Sequence, residues 1–365
     1  MKHLYILLLL LPACITATSA QETFSADGFV LCVTEGDKVR IIDPINYPSN
    51  TPAAPLYHYQ EVTTLVVPES VEHPVTGKQY TVTGGYLMMN EHVTEIVWPE
   101  TCEFIGVTDM AALRHLDIPE GVETIGDISD LQISELILPA SLKYIDPVMS
   151  PTLSMLPVET LVIPEGVKRI ENAISSCDNL AMLEIKGAES IGSFSIQFLP
   201  ALKKLVLSPE LENVEGGVAL DTDPEEIWFP SDGVERPWKL SVNSFVCHTK
   251  RVYCARMTPP TFDGDMTAPE YASVPADRLM FYGPGNIGNV TLYVPAEAIE
   301  AYKAAPNWGL MNIQPYNFRD NIPMTTIDAT APADTPLYDL QGRPTATDTP
   351  TPGIYLRAGK KVIVR

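Results

Sequence analysis

The sequence predicts a β-rich repeat solenoid with a parallel β-sheet, a right-handed winding and a minor helical part. A short unit, apolar-x-x-Leu-x-apolar-Pro, recurs along the chain, and a second unit, Val-x-x-Ile-Gly, follows it after a turn. From Leu116 to Ile227 the anchor residues of successive copies lie 20 to 25 positions apart. A period of this length is typical of repeats that stack into a solenoid.

Alternation within each copy predicts a strand. Leu116 and Ile118 lie two residues apart and point to one face, whereas Asp117 points to the other. Pro119 ends the strand because proline cannot donate to the ladder, and the Glu-Gly pair that follows favours a turn. The predicted strands, which we expect to stack in parallel and in sequence order, cover residues 64–67, 95–98, 115–118, 135–138, 160–163, 182–185, 204–207 and 226–229.

Stacking gives the solenoid its core and requires caps at its ends. A single copy cannot bury its inward face, but stacked copies bury it against one another. We therefore expect the anchor residues Leu161 and Leu183 to be fully buried. Residues 296–305 are rich in Ala, Glu and Lys, which favour a helix, and Pro306 ends the segment. We expect this helix to cover the exposed edge of the last repeat.

The start of the chain is typical of an export signal. Lys2, an apolar run from Leu4 to Leu11 and small residues ending at Ala20 follow the order of a secretory signal peptide. We place this signal peptide at residues 1–20. The alternative is a lipoprotein cleavage box at residues 11–14, which would place a lipid on Cys14. The small-residue site at Ala20 favours cleavage there.

Pattern and composition divide the rest of the chain. Residues 21–60 are predicted to form an N-terminal β cap. The solenoid is assigned to residues 61–316, with an irregular insertion at 255–289 and the capping helix at 296–305. Residues 317–335, rich in Pro, Thr, Ala and Asp, are predicted to be a linker. Residues 336–365 contain three short apolar runs separated by glycines, which predict a small β tail.

Charge and hydropathy exclude several classes of partner. The chain carries 46 Asp and Glu against 24 Lys and Arg, for a net charge of −22. Such a surface repels phosphate backbones and anionic lipid, so we predict no nucleic-acid partner. No apolar run after the signal peptide is long enough to span a membrane. Because 45% of the residues are hydrophobic, the charge does not indicate disorder.

The cysteines do not form a recognisable framework. Beyond Cys14 they are few and widely spaced, and none forms a C-x-x-C pair that would indicate zinc. Small buried apolar thiols are therefore the favoured interpretation, and a disulfide between Cys247 and Cys254 is the alternative. The mature set comprises Cys32, Cys102, Cys177, Cys247 and Cys254.

Motifs for catalysis and cofactors do not have the context that they need. Residues 283–288 match G-x-G-x-x-G, but the next residues predict a strand instead of the helix that would bind a pyrophosphate. The histidines show no metal-ligand spacing. Acidic residues at 221–226 and 263–265 suit either Ca²⁺ or solvent, and solvent is favoured because the spacing is not that of a known calcium loop. We predict no catalytic residue, no metal and no cofactor.

The residue between the two inward positions of each strand forms a predicted outward stripe. Most members are apolar although they point away from the core. One interpretation is β propensity, since β-branched and aromatic residues suit any sheet; the other is a binding surface. The stripe comprises Val66, Val97, Asp117, Ile137, Val162, Glu184, Val206, Trp228, Tyr253 and Tyr293.

Seven of these residues are candidate binding residues: Val97, Ile137, Val162, Val206, Trp228, Tyr253 and Tyr293. Aromatic rings cluster at the C-terminal end of the stripe, where they suit either a protein loop or a sugar. We hypothesise that Trp228 and Tyr253 share a ligand site that the insertion at 255–289 walls.

The repeat unit resembles the BspA-type, or Treponema-type, leucine-rich repeat of bacterial surface proteins. Residues 170–180, Ile-Glu-Asn-Ala-Ile-Ser-Ser-Cys-Asp-Asn-Leu, are similar to that family's Ile-Gly-x-x-Ala-Phe-x-x-Cys-x-x-Leu stretch. Residues 292–308 are similar to its C-terminal end, and the resemblance covers residues 24–316. Several copies lack the Ala-Phe pair. The resemblance implies a leucine-rich-repeat solenoid that attaches to host, matrix or bacterial surface proteins.

The tail has a resemblance of its own. Residues 337–365 resemble the end of the C-terminal sorting domains that the type IX secretion machinery of Gram-negative Bacteroidota recognises, although such domains are longer. This resemblance implies delivery to the outer cell surface or beyond. A small β appendage without a sorting role is the alternative.

The function predicted from the sequence is therefore binding and not catalysis. The leading interpretation is a secreted or cell-surface adhesion protein that contacts an extracellular protein through the repeat face. The alternative is a glycan-binding surface protein that uses the aromatic end of the stripe.

Overall fold

The computed structural model describes residues 22–42, 62–147, 151–241, 244–263, 287–318, 337–338, 353–357 and 360–364. The predicted signal peptide with Cys14, most of the insertion and nearly all of the linker lie outside the described residues. The chain divides into two compact units, Met1–Tyr316 and Asn317–Arg365. The described residues of the first unit wind into a β-solenoid of about nine turns with parallel sheets, which confirms the predicted fold class.

Short strands account for most of the regular structure described in the first unit. In chain order they are β1 (Thr23–Ala26), β2 (Phe29–Val33), β3 (Lys38–Ile41), β4 (Thr64–Val66), β5 (Ser70–Glu72), β6 (Gln79–Met88), β7 (Glu95–Val97), β8 (Phe104–Met110), β9 (Thr124–Leu131), β10 (Tyr144–Ile145), β11 (Leu153–Ser154), β12 (Thr160–Ile163), β13 (Arg169–Ile170), β14 (Ile174–Ser175), β15 (Met182–Ile185), β16 (Ser190–Ile191), β17 (Ile196–Gln197), β18 (Lys204–Val206), β19 (Asn213–Val214), β20 (Ala219–Leu220), β21 (Glu226–Phe229), β22 (Lys239–Ser241), β23 (Phe245–Val246), β24 (Arg251–Cys254), β25 (Thr261–Asp263), β26 (Thr291–Val294) and β27 (Asn312–Pro315).

Each regular turn contributes one strand to each of three parallel sheets, which we call the first, second and third sides. The turn that begins with β12 continues with β13 on the second side and β14 on the third. The next turn repeats this order with β15, β16 and β17, and each strand pairs with its equivalent one turn later. The chain therefore encloses its apolar core on three sides.

The first side contains the predicted repeat strands. Its main sheet has the order β12-β15-β18-β21-β24-β26-β27, and β4 and β7 pair separately. Leu161 lies opposite Leu183, and both are buried as predicted. Six of the eight predicted strands are confirmed, in parallel and in sequence order, with ends that differ by at most one residue.

Two predicted strands, 115–118 and 135–138, are wrong. Their side chains keep the predicted alternation, with Leu116 and Leu136 buried and Asp117 and Ile137 exposed, but neither segment is a strand. The anchor residues of these two segments, Leu116 and Leu136, each lie 20 residues after the anchor of the preceding copy. From Leu161 in β12 onward, the anchor of each copy lies at least 22 residues after the previous anchor. The shorter turns have no corner between the second and third sides. There β8 and β9 run through as single strands, and β9 pairs with both β10 and β11.

The second side lies in the Val-x-x-Ile-Gly unit and the third side in the residues that follow it, for which the sequence predicted no strand. The second side contains the sheet β13-β16-β19-β22-β25, and the third continues the large sheet along β11-β14-β17-β20-β23. The insertion at 255–289 is less irregular than predicted, because residues 261–263 form β25, a regular strand paired with β22. The Thr261 amide donates to the Trp238 carbonyl at 3.0 Å, which continues the ladder into this segment.

The N-terminal strands close the other end of the solenoid. β1, β2 and β3 pair antiparallel, and β3 then joins β6 in parallel. The predicted N-terminal β cap is thus a β meander through residues 22–42. Phe24 packs against Tyr80 and His73, with ring centroids 5.4 and 4.5 Å apart.

The C-terminal cap contains the predicted helix. Residues 296–298 form a 3-10 helix, and α1 (Ile299–Ala304) continues it. A further 3-10 helix at Trp308–Leu310 leads into β27, which pairs in parallel with β26. The edge of the first side is therefore β27 and not the helix. The helix instead supplies Tyr302 to the end of the core, where Tyr302 and Trp308 are fully buried.

The second unit contains the three strands predicted for the tail. They are β28 (Leu337–Tyr338), β29 (Gly353–Arg357) and β30 (Lys360–Val364). β28 and β30 both pair antiparallel with β29. The predicted short strands are therefore confirmed.

Candidate functional site

The first side brings much of the predicted stripe into register. Val162, Glu184 and Val206 lie opposite one another on β12, β15 and β18. Trp228, Tyr253 and Tyr293 continue the row on β21, β24 and β26. Val66 and Val97 form their own pair on β4 and β7, and Asp117 and Ile137 lie in the two segments that are not strands.

The N-terminal part of the stripe is open to solvent. Val66, Val97 and Ile137 are 62%, 43% and 68% exposed. Asp117 interrupts them, and its Oδ1 lies 2.9 Å from His115 Nε2. This region therefore presents separate apolar side chains around one polar pair.

The C-terminal part is an aromatic ladder, by which we mean Trp228, Tyr253, Tyr293 and Tyr316. Trp228 stacks on Tyr253 with ring centroids 4.0 Å apart and planes 9° apart. Tyr253 stacks on Tyr293 at 4.7 Å and 12°. The ladder spacing of parallel strands, about 4.8 Å, is what places successive rings at stacking distance.

Tyr316 completes the ladder from the end of β27. Its ring meets Trp228, Tyr253 and Tyr293 edge-on, with centroids 6.2, 5.1 and 5.5 Å away. Edge-to-face contacts of this kind are favourable for aromatic quadrupoles. The sequence analysis did not include Tyr316, because it lies one residue beyond a strand that was not predicted.

Trp228 is less exposed than predicted. It lies on the outward face but is only 9% exposed. Tyr253 of the following strand covers the ring from one side, and Lys204 of the preceding strand places Nζ 4.7 Å from the ring centroid. Trp228 Nε1 also donates to Glu226 Oε2 at 2.9 Å. Both faces and the polar edge of this ring are therefore occupied by the protein.

Charged residues border the ladder. Arg251 donates from Nε and Nη2 to Glu226 Oε1 at 3.0 and 2.8 Å, and this hydrogen bond raises the pKa of Arg251. Burial, followed by the charge of Glu226, raises the pKa of Tyr253, so its hydroxyl is protonated at neutral pH. Glu226 thus holds both Trp228 and Arg251 in place.

The acidic stretch at 221–226 is used by the neighbouring turn. Asp223 Oδ1 accepts the His248 backbone N–H at 2.7 Å and lies 3.0 Å from His248 Nδ1. Glu225 lies 3.6 Å from both Lys250 Nζ and Arg251 Nη2. These carboxylates therefore join successive turns. Across the described ranges there is no group of three or more His, Cys, Asp or Glu that is arranged to hold a metal ion.

Cys102, Cys177, Cys247 and Cys254 are buried free thiols, so Cys247 and Cys254 form no disulfide with each other. Burial raises the pKa of Cys102 to about 12 and that of Cys177 to about 11. A thiol of this kind stays protonated at neutral pH and is a poor nucleophile.

The G-x-G-x-x-G match leads into a strand, as predicted. A three-residue 3-10 helix, Ile287–Asn289, is followed by β26, so the described residues after the match contain no helix placed to meet a pyrophosphate.

In the part of the chain that is described, no helix is long and apolar enough to cross a membrane.

Comparison with known proteins finds similar solved structures but no matching family or curated sequence. A leucine-rich repeat protein from Bacteroides ovatus is 13% identical, with a TM-score of 0.30 over 80% of this chain and 100% of that one. The pneumococcal vaccine antigen PcpA is 12% identical, with a TM-score of 0.27 over 82% and 100%. A leucine-rich cell surface protein from Faecalibacterium prausnitzii is 12% identical, with a TM-score of 0.19 over 84% and 98%.

Proposed function

We propose that this chain is a non-catalytic adhesion protein that binds an extracellular protein through the outward stripe of its first side. The observation that carries the proposal is the run of apolar and aromatic side chains that point away from the core. β propensity explains why such residues suit a sheet. It does not explain Ile137, which lies in a segment without strand pairing and is 68% exposed. A row of exposed apolar residues that continues across the turns of a repeated scaffold is typical of a contact surface.

The aromatic ladder supports binding because it is held rigid before any partner arrives. Stacking fixes the rings of Tyr253 and Tyr293, and Glu226 fixes the edge of Trp228. Side chains that are already ordered lose little conformational entropy on association. We propose that the accessible edges of Tyr253 and Tyr293 contact the partner together with Val162 and Val206, which lie further along the same row. Trp228, between Val206 and Tyr253, supports the ladder.

A protein partner fits this ladder better than a sugar does. A sugar that stacks on an aromatic residue needs an open ring face. The faces of Trp228 are covered by Tyr253 and Lys204, and Tyr253 is stacked between Trp228 and Tyr293. Half-exposed rings and separate valines suit the side chains of a protein. The partner class is therefore a host, matrix or bacterial surface protein.

The test is a binding screen with the mature chain against immobilised collagen, fibronectin and laminin, beside a glycan array. For the matrix protein that binds, we expect Tyr253→Ala to weaken affinity by about 2 kcal/mol, or roughly 30-fold in Kd, because it removes the middle of the ladder. Ile137→Ser is expected to weaken the same interaction by a smaller factor. Binding to the glycan array alone would favour the other partner class.

A matched control separates stripe binding from general surface effects. Val234 is 56% exposed in the loop after β21 and lies outside the stripe. Val234→Ser should bind like the parent chain, and circular dichroism should show that all three variants are folded. If Tyr253→Ala and Ile137→Ser also bind like the parent, the first side is not the contact surface.

We further propose that residues 337–365 direct the protein to the outer cell surface. The support is the three-stranded antiparallel unit at the C-terminus and its resemblance to type IX sorting domains. Deleting residues 336–365 is expected to retain the protein in the periplasm while the solenoid still folds. Cell fractionation with surface proteolysis measures this directly, and normal surface display of the truncated chain would eliminate the sorting role.

A further inference from the structure

The corner after the third side has an unusual backbone. At seven successive turns, the residue directly after the paired residues of the third side adopts a left-handed conformation, with φ between 47° and 55°. The preceding residues pair with one another from turn to turn, so these corner residues form one column. The column comprises Met89, Asp109, Asp130, Met155, Ser176, Phe198 and Asp221.

Three of the seven side chains do not suit this conformation. Aspartate is enriched in the left-handed region because its short polar side chain bonds locally, and bulky residues are outliers there. Met89, Met155 and Phe198 have no such local compensation. Backbone strain that is kept at a defined place is a reason to look for a function.

The strained apolar residues are also exposed. Met155 is 51% exposed and Phe198 is 44% exposed. Phe194 lies at the other end of β17, is also left-handed with φ of 58°, and is 53% exposed. We call Met155, Phe194 and Phe198 the third-side patch.

The backbone beneath the patch is firmly held. Phe194 and Phe198 donate their amide protons to the Gly217 and Leu220 carbonyls, both at 3.0 Å. Gln197 Nε2 donates to the Phe194 carbonyl at 2.5 Å. The two phenylalanine rings are therefore presented by fixed backbone and do not belong to a loose loop.

Acidic residues lie on both sides of Met155 and Phe198 in the same column. Asp109 and Asp130 precede Met155, and Asp221 follows Phe198. None of the ion pairs formed among the described residues involves these three aspartates. Burial, together with a hydrogen bond that the protonated Asp109 carboxyl makes to Asp130, raises the pKa of Asp109, as expected where two carboxyl groups lie together without a cation.

We propose that the third-side patch and its flanking aspartates bind an extended segment of a partner protein that carries apolar residues at its centre and lysine or arginine at both ends. From Asp109 to Asp221 there are five steps, which at about 4.8 Å per step span about 24 Å. An extended peptide of about seven or eight residues covers that length. The net charge of −22 disfavours a second copy of the chain or an anionic bilayer as the occupant.

The probe is a short peptide with two lysines at each end and alternating leucine and threonine between them. Its control replaces each leucine with serine and keeps the charge. Calorimetry at about 150 mM salt, where unpaired surface charges are screened, should show the leucine peptide binding about tenfold more tightly or better. Equal affinity for the two peptides would overturn the proposal, because it would mean attraction by net charge alone.

Two variants test the patch without endangering the fold. Asparagine tolerates the left-handed conformation, so the double variant Phe194→Asn/Phe198→Asn should keep or raise the melting temperature. It should nevertheless lose about tenfold or more in affinity for the leucine peptide. Val75, 86% exposed in the turn between β5 and β6, is the control, and Val75→Asn should bind like the parent. A stable double variant that binds like the parent overturns the proposal.

The acidic part of the site and its location have separate readouts. Asp109→Asn/Asp130→Asn should weaken binding and reduce its dependence on salt, and unchanged affinity would contradict the role of these aspartates. Tyr253→Ala, on the first side, should leave peptide affinity unchanged, and a loss there would place the peptide elsewhere. The third-side proposal can therefore fail while matrix binding through the first side stands, and the reverse also holds.

Discussion

Replacing Trp308 with alanine is expected to lower the free energy of unfolding by about 3–5 kcal/mol. Trp308 is fully buried at the C-terminal end of the core. Its ring meets Phe229 and Tyr302 edge-on, with centroids 6.1 and 5.5 Å away, and lies 6.2 Å from Trp238. The substitution leaves a large cavity where the capping segment joins the last turns.

The surroundings of Trp308 are poorly able to collapse into that cavity. The Tyr302 hydroxyl lies 3.0 Å from Cys254 Sγ and donates to the Arg256 carbonyl at 3.1 Å. Arg256 in turn donates from its Nη atoms to the Leu211 and Pro209 carbonyls at 2.7 and 2.8 Å. Because these polar contacts fix the neighbours, the cost of the cavity should be near the upper part of the range.

Chemical denaturation measures the loss, and Leu310→Ala is the matched control. Leu310 lies in the same 3-10 helix but is 48% exposed, so its replacement should change stability by about 0.5 kcal/mol or less. Hydrogen exchange should also be faster in β26 and β27 of the Trp308 variant, since solenoids lose structure from weakened ends. Equal losses for the two variants would contradict the role of Trp308 as the capping residue.

The sequence was sufficient for six strands of the first side because these strands are long enough to show alternation. Leu161 and Ile163 point inward and Val162 outward, as the period of two requires. The second and third sides were not predictable in this way, because β13, β14 and most of their equivalents are two residues long. Two residues contain no period, so the motif Val-x-x-Ile-Gly was recognised as a repeat without predicting a strand.

The glycine of that motif has a role that the pattern alone did not indicate. A Cβ on Gly106 would lie 2.2 Å from Tyr86 Cε1, and one on Gly126 would lie 2.1 Å from the Tyr86 hydroxyl. These two glycines therefore make room for a tyrosine ring from an earlier turn. Sequence position identified the glycines, but only the stacking of turns identifies the side chain that needs the space.

The candidate surfaces were predictable to different degrees. The positions of the stripe follow from alternation, whereas the burial of Trp228 depends on Lys204 of β18 and on Tyr316, which follows β27. The left-handed corner on the third side was not predictable, because Met155 and Phe198 have no sequence signature for that conformation. Aspartate and glycine signal such corners, and a phenylalanine there is visible only in the backbone angles.

Leu161→Ala is expected to destabilise the solenoid by about 2–5 kcal/mol. Leu161 is 1% exposed and lies between the turns that precede and follow β12. Its strand partner is Leu183, which is also fully buried. A missing isobutyl group leaves a void in the core beside Leu183, and the backbone ladder between β12 and β15 holds the following turn in place so that it cannot close the space.

Glu159→Ala, two residues earlier, is the control for this prediction. Glu159 is exposed, and its contribution to the fold is its carbonyl, which accepts the Ala181 and Met182 amides at 2.8 and 3.2 Å. Alanine keeps that carbonyl, so the melting temperature should barely change. Thermal unfolding of the two variants then tests the inside and outside of the first side directly. Similar shifts for both variants would mean that Leu161 does not face the core. The assignment of the stripe to the outward face, which depends on the same alternation, would then also be wrong.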